Sequence, residues 1–391
     1  MLSWEYPPLV VGGIAAHVEG LATALHRAGH EVVVLSLHHP AAEDDSMVHG
    51  VRVLRADTSL PWLPDDDIVA RMASANHHLV RLAAQLGEWR PDVIHAHDWL
   101  VAWAGDTISG LFGAPLVATV HATERGRHGG HLPPGLPGEI NSVEWWLTYQ
   151  AREIIACSRF MVREVVQGFE LPPDKVHLVP NGVDVERWSN IGGRGIDGRS
   201  AAVRSVEAEP LVIAWGRIQY EKGFQVLARA IGALRLRVPG IRCVIAGRGT
   251  YLPELQTQID MEGVSDLVQL AGFVTDDELK ALLARTSCVV IPSLYEPFGI
   301  VALEGMAAGA PTIVARTGGL AEIVDGTGAG VLFEPGNHHE LADRIAEVLA
   351  DPDAAAQLRH AAASLLRRTY TWDAIATSTA MVYQRALVGR V

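Results

Sequence analysis

The sequence predicts an α/β protein of two Rossmann-like domains, each a doubly wound parallel sheet, and three observations carry that expectation. Strand-length apolar runs alternate with helix-length amphipathic segments along all 391 residues. The runs are continuous in Val, Ile and Leu, as strands covered on both faces require. One glycine-rich stretch without periodicity, Asn190 to Arg199 and the polar residues after it, breaks the rhythm once. The expected division is a first domain at 1–190, a linker at 191–209, a second domain at 210–371 and a closing segment, 372–391, with a helix over 372–387.

Taken in order, the first half is expected to hold strands at 31–37, 51–54, 92–95, 116–120, 153–157 and 176–179. Helices are expected near 14–28, 66–88, 99–111, 140–150 and 158–167. A strand ahead of Gly12-Gly13 has only Met1 to Ser3 to draw on, against the usual five or six residues or so. The first strand of such a sheet is central, so the fold is expected to form around a shortened strand there. Beyond the linker, strands at 211–215, 241–246, 267–271, 287–291 and 311–314 each lead into a helix.

Composition narrows the function classes. With 49% hydrophobic and 20% charged residues in 42.1 kDa, the chain is neither disordered nor fibrous. No apolar run approaches the roughly 18 residues of a membrane span, and the N-terminus lacks a signal-peptide pattern, so a cytoplasmic protein is expected. Cys157, Cys243 and Cys288 lack metal-ligand spacing and read as buried reduced thiols. The net charge is -13, and residues 1–190 carry 13 Lys and Arg against 23 Asp and Glu. Nucleic acid and anionic lipid are disfavoured as partners, and any phosphate must be met by singly placed cations.

Several segments have that character. Gly12-Gly13 lets a ligand approach the amides at the positive end of the first helix, although taken alone the pair reads better as an ordinary glycine turn. Gly216-Arg217 closes the strand at 211–215, and Tyr220-Glu221-Lys222-Gly223 opens the next helix. Carboxyl ends of strands are where open α/β sheets bind ligands, and a guanidinium beside an ammonium suits a diphosphate. A solvated surface pair is the plainer alternative. Glu296 and Glu304 would stand about 12 Å apart along a helix. The acid and nucleophile of a glycosidase lie only about 5 to 9.5 Å apart. Two carboxylates so spaced suit two hydroxyl-bearing groups of one extended ligand. Thr317-Gly318-Gly319 offers further amides at the same edge, whereas Gly247-Arg248-Gly249 reads as a tight turn. His95 and His97 point to one side of an extended segment, but no neighbouring cluster in sequence completes a metal site, so none is expected. His121, ending Val117 to Val120, reads as a cleft residue.

Together, Ser3-Trp4-Glu5-Tyr6-Pro7-Pro8 with Gly12-Gly13, the His97-Asp98 and His121 strand ends, Cys157-Ser158, Asn181-Gly182-Val183-Asp184, Gly216-Arg217 with Lys222, and the Glu296 to Glu304 spacing carry a resemblance. Over nearly the whole chain they resemble the retaining GT-B glycosyltransferases of family four and the related bacterial glycogen synthases. The resemblance implies two domains facing across a cleft, with the last helix packing back on the first. It implies that Arg217 and Lys222 neutralise the donor diphosphate, with Gly13 and Gly216 beside it. Glu304 would accept hydrogen bonds from the ribose hydroxyls, while Glu296 and the Phe298, Gly299, Ile300 and Val301 segment would hold the donor sugar. His121 would lie beside that sugar, and His97, Asp98 and Trp145 would position sugar or acceptor. Retention by front-face displacement needs no metal and no cofactor.

Trp4-Glu5-Tyr6-Pro7-Pro8, Glu144-Trp145-Trp146 and the acidic first half look closest to actinobacterial α-1,4-glucosyltransferases of glucan or methylglucose lipopolysaccharide synthesis. The expected donor is UDP- or ADP-glucose and the acceptor a glucan or methylglucose lipopolysaccharide-type sugar. A GDP-mannose-dependent mannosyltransferase on a lipid acceptor is the alternative, and a GT-B-like sugar-nucleotide epimerase the alternative from another class. Arg248 stands where relatives often carry an acidic residue. Trp99, Trp103, Trp145 and Trp146 could stack on sugar rings, although Trp103 reads better as core.

Overall fold

The computed structural model describes residues 1–58, 67–189 and 209–388. Within it the chain forms two compact units, Met1–Gly182 together with the residues from Trp372 onward, and Val183–Thr371. The expected linker at 191–209 lies outside the described residues apart from Glu209. The division itself falls after Gly182, earlier than expected. Val183 donates its N–H to the Tyr370 carbonyl (2.9 Å), and the helix Val185–Ser189 buries Trp188, so this segment belongs to the second unit.

The first unit holds β1 (Leu2–Ser3), β2 (Val33–Leu37), β3 (Asp45–Val48), β4 (Val51–Ala56), β5 (Ile94–His97), β6 (Leu116–Val120), β7 (Glu153–Ala156) and β8 (Val176–Leu178). Their order is β3-β4-β2-β1-β5-β6-β7-β8, all parallel except β3, which pairs antiparallel with β4. Two-residue β1 is central: Leu2 faces Leu35 on one side and Ala96 on the other. The chain therefore reverses its direction of winding between β1 and β5, and the loops after these two strands open at that switch point.

Two expectations shift. The strand expected at 92–95 runs Ile94–His97, so both histidines lie inside a fully buried strand. Such burial is sustained because each imidazole meets a polar or aromatic neighbour. Edge strand β3 gives no apolar signal, since only one side of it packs, on β4, and its residues are half-buried or exposed.

The terminal helix Trp372–Val388 lies on the helix Gly13–Arg27, with Ile375, Ala376, Val382 and Ala386 in one apolar cluster with Leu21 and Leu25. Trp372 packs so closely on Gly20 and Gly182 that a Cβ at either would come within 2.2 and 2.7 Å of its indole.

The second unit holds β9 (Leu211–Trp215), β10 (Arg242–Ala246), β11 (Val268–Gly272), β12 (Cys288–Ile291), β13 (Thr312–Ala315) and β14 (Val331–Phe333). They form one parallel sheet in the order β11-β10-β9-β12-β13-β14, with its switch point between β9 and β12. Three-residue β14 is too short to stand out as an apolar run. Helix Phe224–Leu234 supplies much of the core through Phe224, Leu227, Ile231 and Leu234.

The loops at the second switch point are clasped together. Leu294 donates its N–H to the Glu221 carbonyl at 2.7 Å. Gly223 has φ +70°, and a Cβ there would come within 1.9 Å of the Pro292 carbonyl oxygen. We expect Gly223→Ala to destabilise the protein by roughly 2–4 kcal/mol, combining left-handed strain with a backbone clash. Urea unfolding checks this, and a loss below about 1 kcal/mol would mean that the two loops separate freely.

Candidate active site

In the second unit the sheet gathers the predicted donor residues at its switch point. Lys222, in the 3-10 turn Tyr220–Lys222 after β9, donates from Nζ to Glu296 Oε2 at 2.8 Å. Ser293 Oγ donates to the same oxygen at 3.2 Å. The pair is mostly buried, with side chains 20% and 12% exposed, so its geometry is held by packing as well as charge. A third loop joins them: Gly319 donates its N–H to the Glu296 carbonyl (3.0 Å), and Thr317 Oγ1 donates to the Leu294 carbonyl (3.1 Å). Arg217 stands exposed in the loop after β9, next to Gly216.

Phe298 and Gly299 are buried, and Ile300 and Val301 open the helix Ile300–Ala307. Gly299 has φ +104°, and a Cβ there would meet Leu320 at 2.3 Å, so only glycine allows the chain to enter the helix at this angle. Glu304 lies one turn farther along. Burial pushes its carboxyl up to about 7, against the pull of a hydrogen bond from Trp215 Nε1–H at 3.4 Å. Arg248 is exposed, with its guanidinium 5.2 Å from the Phe273 ring centre.

In the first unit, Glu5 in the loop after β1 accepts hydrogen bonds from Val11 N–H (2.6 Å) and Gly12 N–H (2.8 Å). Of the glycine pair, Gly12 thus spends its amide on Glu5, while Gly13 begins the helix. At the ends of β5 and β6, Asp98 Oδ1 accepts from the His121 backbone N–H at 2.7 Å, and His97 Nδ1 faces His121 Nε2 at 3.2 Å. His95 has both nitrogens engaged, by the Tyr383 hydroxyl and by Thr119 Oγ1, each at 2.7 Å.

His17, from the first helix, completes this cluster, its ring centre 4.6 Å from that of His121 and 5.3 Å from that of His97. Nothing near His97 in the sequence completes a ligand set, because the partners come from another helix and another strand. Burial, reinforced by neighbouring imidazoles, holds His17 and His97 well below the ordinary histidine value, and burial holds His121 down at about 3. Near Asp98, Glu144 is pushed up to about 8 by burial, although the Glu124 N–H and Arg127 oppose the shift.

The structure thus brings His97, Asp98 and His121 together in one unit, and Lys222, Glu296 and the 298–301 segment together in the other. Trp145 stands apart on the helix Leu136–Gln150, 46% exposed and stacked on Tyr149. Trp99 and Trp103 pack into a core cluster with Met72 and Ile140. His17 and Trp215 carry no readable signal, being apolar-face neighbours in sequence. Glu5 does stand in the Ser3 to Pro8 motif, but only the fold shows that it fixes the glycine loop.

Two Rossmann-like units, each with polar groups at the switch point of its sheet, define an α/β protein of the GT-B class. The pattern described as Glycosyltransferase Family 4 matches residues 11–187, and that described as Glycosyl transferases group 1 matches 199–365. The glycogen synthase of Mycobacterium tuberculosis H37Rv is 38% identical over 404 aligned positions, which span 100% of this chain and 95% of that protein. Among solved structures, sucrose-phosphate synthase from Thermosynechococcus elongatus superposes with a TM-score of 0.81 at 22% identity, over 99% of this chain and 98% of the other. Anabaena HepE in complex with UDP-glucose gives 0.77 at 21%, over 98% of each chain. The chain belongs to this family and is a glycosyltransferase. No described helix is long and apolar enough to cross a membrane.

Proposed function

We propose that the protein is a retaining α-glucosyltransferase that moves glucose from UDP- or ADP-glucose to an α-1,4-glucan or a methylglucose lipopolysaccharide-type acceptor. The observation that carries this reading is the Lys222–Glu296 pair, clasped by three loops at the switch point of the second sheet. Likeness to glycogen synthase supports glucose as the transferred sugar.

In this reading Arg217 and Lys222 neutralise the diphosphate as charge grows on the leaving group, with Gly13 and Gly216 lending close backbone approach. Preorganised charge of this kind often contributes more to a rate enhancement than any other single effect. Glu296, with the amides of the 298–301 segment, holds the donor sugar, and Glu304 accepts from the ribose hydroxyls. His121 lies beside the sugar, and His97 and Asp98 fix the segment that presents it. The bond between the anomeric carbon and the phosphate oxygen breaks while the acceptor oxygen bonds to the same face. The acceptor's proton passes to the departing phosphate oxygen, which releases nucleoside diphosphate. The cations and helix amides supply the charge, so no metal is required.

The test is a panel of UDP-, ADP- and GDP-sugars with maltooligosaccharide acceptors, read by product mass and NMR in the presence of EDTA. We expect glucose transfer with only new α-linkages and activity that survives chelation. Transfer only from GDP-mannose, a β-linked product or loss of activity on chelation would each overturn the corresponding part.

Glu304 adds a pH dependence. Its carboxyl sits at about 7, and the carboxylate is the form that accepts from two hydroxyls. We expect donor KM to fall as pH rises from 6 to 8, by about tenfold at most, and the trend to vanish in Glu304→Gln. An unchanged slope in that variant would remove Glu304 from the donor site.

A further inference from the structure

We propose that His17, His97 and His121 form a binding site in the first unit for one divalent late transition metal ion, zinc or cobalt in its chemistry. One nitrogen from each ring lies within 4.8 Å of those of the other two. Tetrahedral zinc, with imidazole bonds of about 2.0–2.1 Å, sets its ligand nitrogens about 3.4 Å apart. His97 Nδ1 and His121 Nε2, at 3.2 Å, already have that spacing, and with all three nitrogens within 4.8 Å the His17 ring needs a movement of at most about 1.4 Å to join them.

A second observation points to an occupant. His17 is 3% exposed, and neither of its ring nitrogens makes a hydrogen bond of good geometry among the described residues, although the Asn181 side chain stands near enough to act on the ring. Leaving a buried polar atom unpaired costs about 1–3 kcal/mol. His95 shows the contrast, with both of its nitrogens satisfied by Thr119 and Tyr383, and is therefore structural.

The surroundings suit a cation. All three imidazoles are held neutral by burial, and the neutral ring is the form that ligates. The Asp98 carboxylate, bonded to the His121 N–H, places negative charge alongside. Trp372 packs edge-on to His17, and His121, partly exposed, leaves a path of entry. Three nitrogen donors favour zinc, cobalt, nickel or copper over magnesium or calcium, which take oxygen ligands. Resting on the reading of His121 as the group beside the donor sugar, an occupied site blocks transfer. The ion is thus an inhibitor of a metal-free reaction.

The experiment titrates the chelator-stripped full chain with Co2+ and follows its visible absorption and Tm. Expected are one ion per chain, the intense bands of a tetrahedral site, displacement by Zn2+ and a raised Tm. His17→Gln should weaken binding by about a hundredfold. The double variant His338→Gln/His339→Gln, at a surface histidine pair in the second unit, should leave it unchanged. A weak octahedral spectrum, binding lost with the surface pair, or no binding, as when only a water bridges the rings, would each overturn the site. The wild-type spectrum and Tm need no variant, so a misfolded His17→Gln protein does not spare the proposal. Reversible inhibition of transfer by stoichiometric Zn2+ is also expected. A bound ion without inhibition would keep the site and instead overturn the placement of His121 at the sugar.

Discussion

Replacing Lys222 by Ala is expected to lower kcat by about 10²–10³-fold while acceptor KM stays within about threefold. The ammonium matters most when the diphosphate departs, so its loss falls on the transition state rather than on acceptor binding. The substitution also strands Glu296, only 9% exposed, without its 2.8 Å partner. That second effect costs stability, about 1–3 kcal/mol. The two are separable, because Lys222→Ala combined with Glu296→Gln should recover most of the stability and none of the turnover. Steady-state kinetics with urea unfolding on the same samples makes the comparison, and a kcat loss of only twofold would remove Lys222 from the chemistry.

A steep loss of stability on the acid side is the second large effect. Burial holds His17, His95, His97 and His121 neutral in the folded protein. The unfolded chain binds protons at all four below about pH 6.5, so these groups lose stability as pH falls. Glu144, at about 8, and Glu304, at about 7, work in the opposite sense. The folded state retains their protons between about 4.5 and those values, so they lose stability as pH rises. Between about pH 4.5 and 6.5 the unfolded state therefore takes up four protons against two retained by the folded state. The contribution of these six groups falls by about 2–3 kcal/mol per pH unit, and their optimum lies between about pH 6 and 7. Urea midpoints from pH 5 to 8 measure the slope. His17→Phe should reduce it by about 1.4 kcal/mol per pH unit, and a flat profile in wild type would mean that the cluster is hydrated.

Much of the candidate site was legible because the chemistry of a Rossmann sheet is local to strand ends. Arg217, Lys222 and Glu296 each follow an apolar run, and the run is what the eye finds. The interior of β5 was harder: His97 falls beyond the strand expected at 92–95, and nothing in Ile94 to His97 announces that Thr119 and Tyr383 will satisfy the buried imidazole of His95. Edge strands β3 and β14 were missed for a related reason, being too polar or too short to give a signal of their own.

By itself the sequence determined the alternation of strand and helix and the resemblance that places the family, because periodicity and motif spacing are properties of neighbours in the chain. The tertiary structure alone decided which distant groups meet. It joined Lys222 to Glu296, set Trp215 against Glu304, fixed Glu5 on the glycine loop and drew His17 to His97 and His121. The physical reason is that strand order, with β1 beside β5 and β9 beside β12, is chosen by packing of whole faces. Residues far apart in the chain become neighbours only when those faces close.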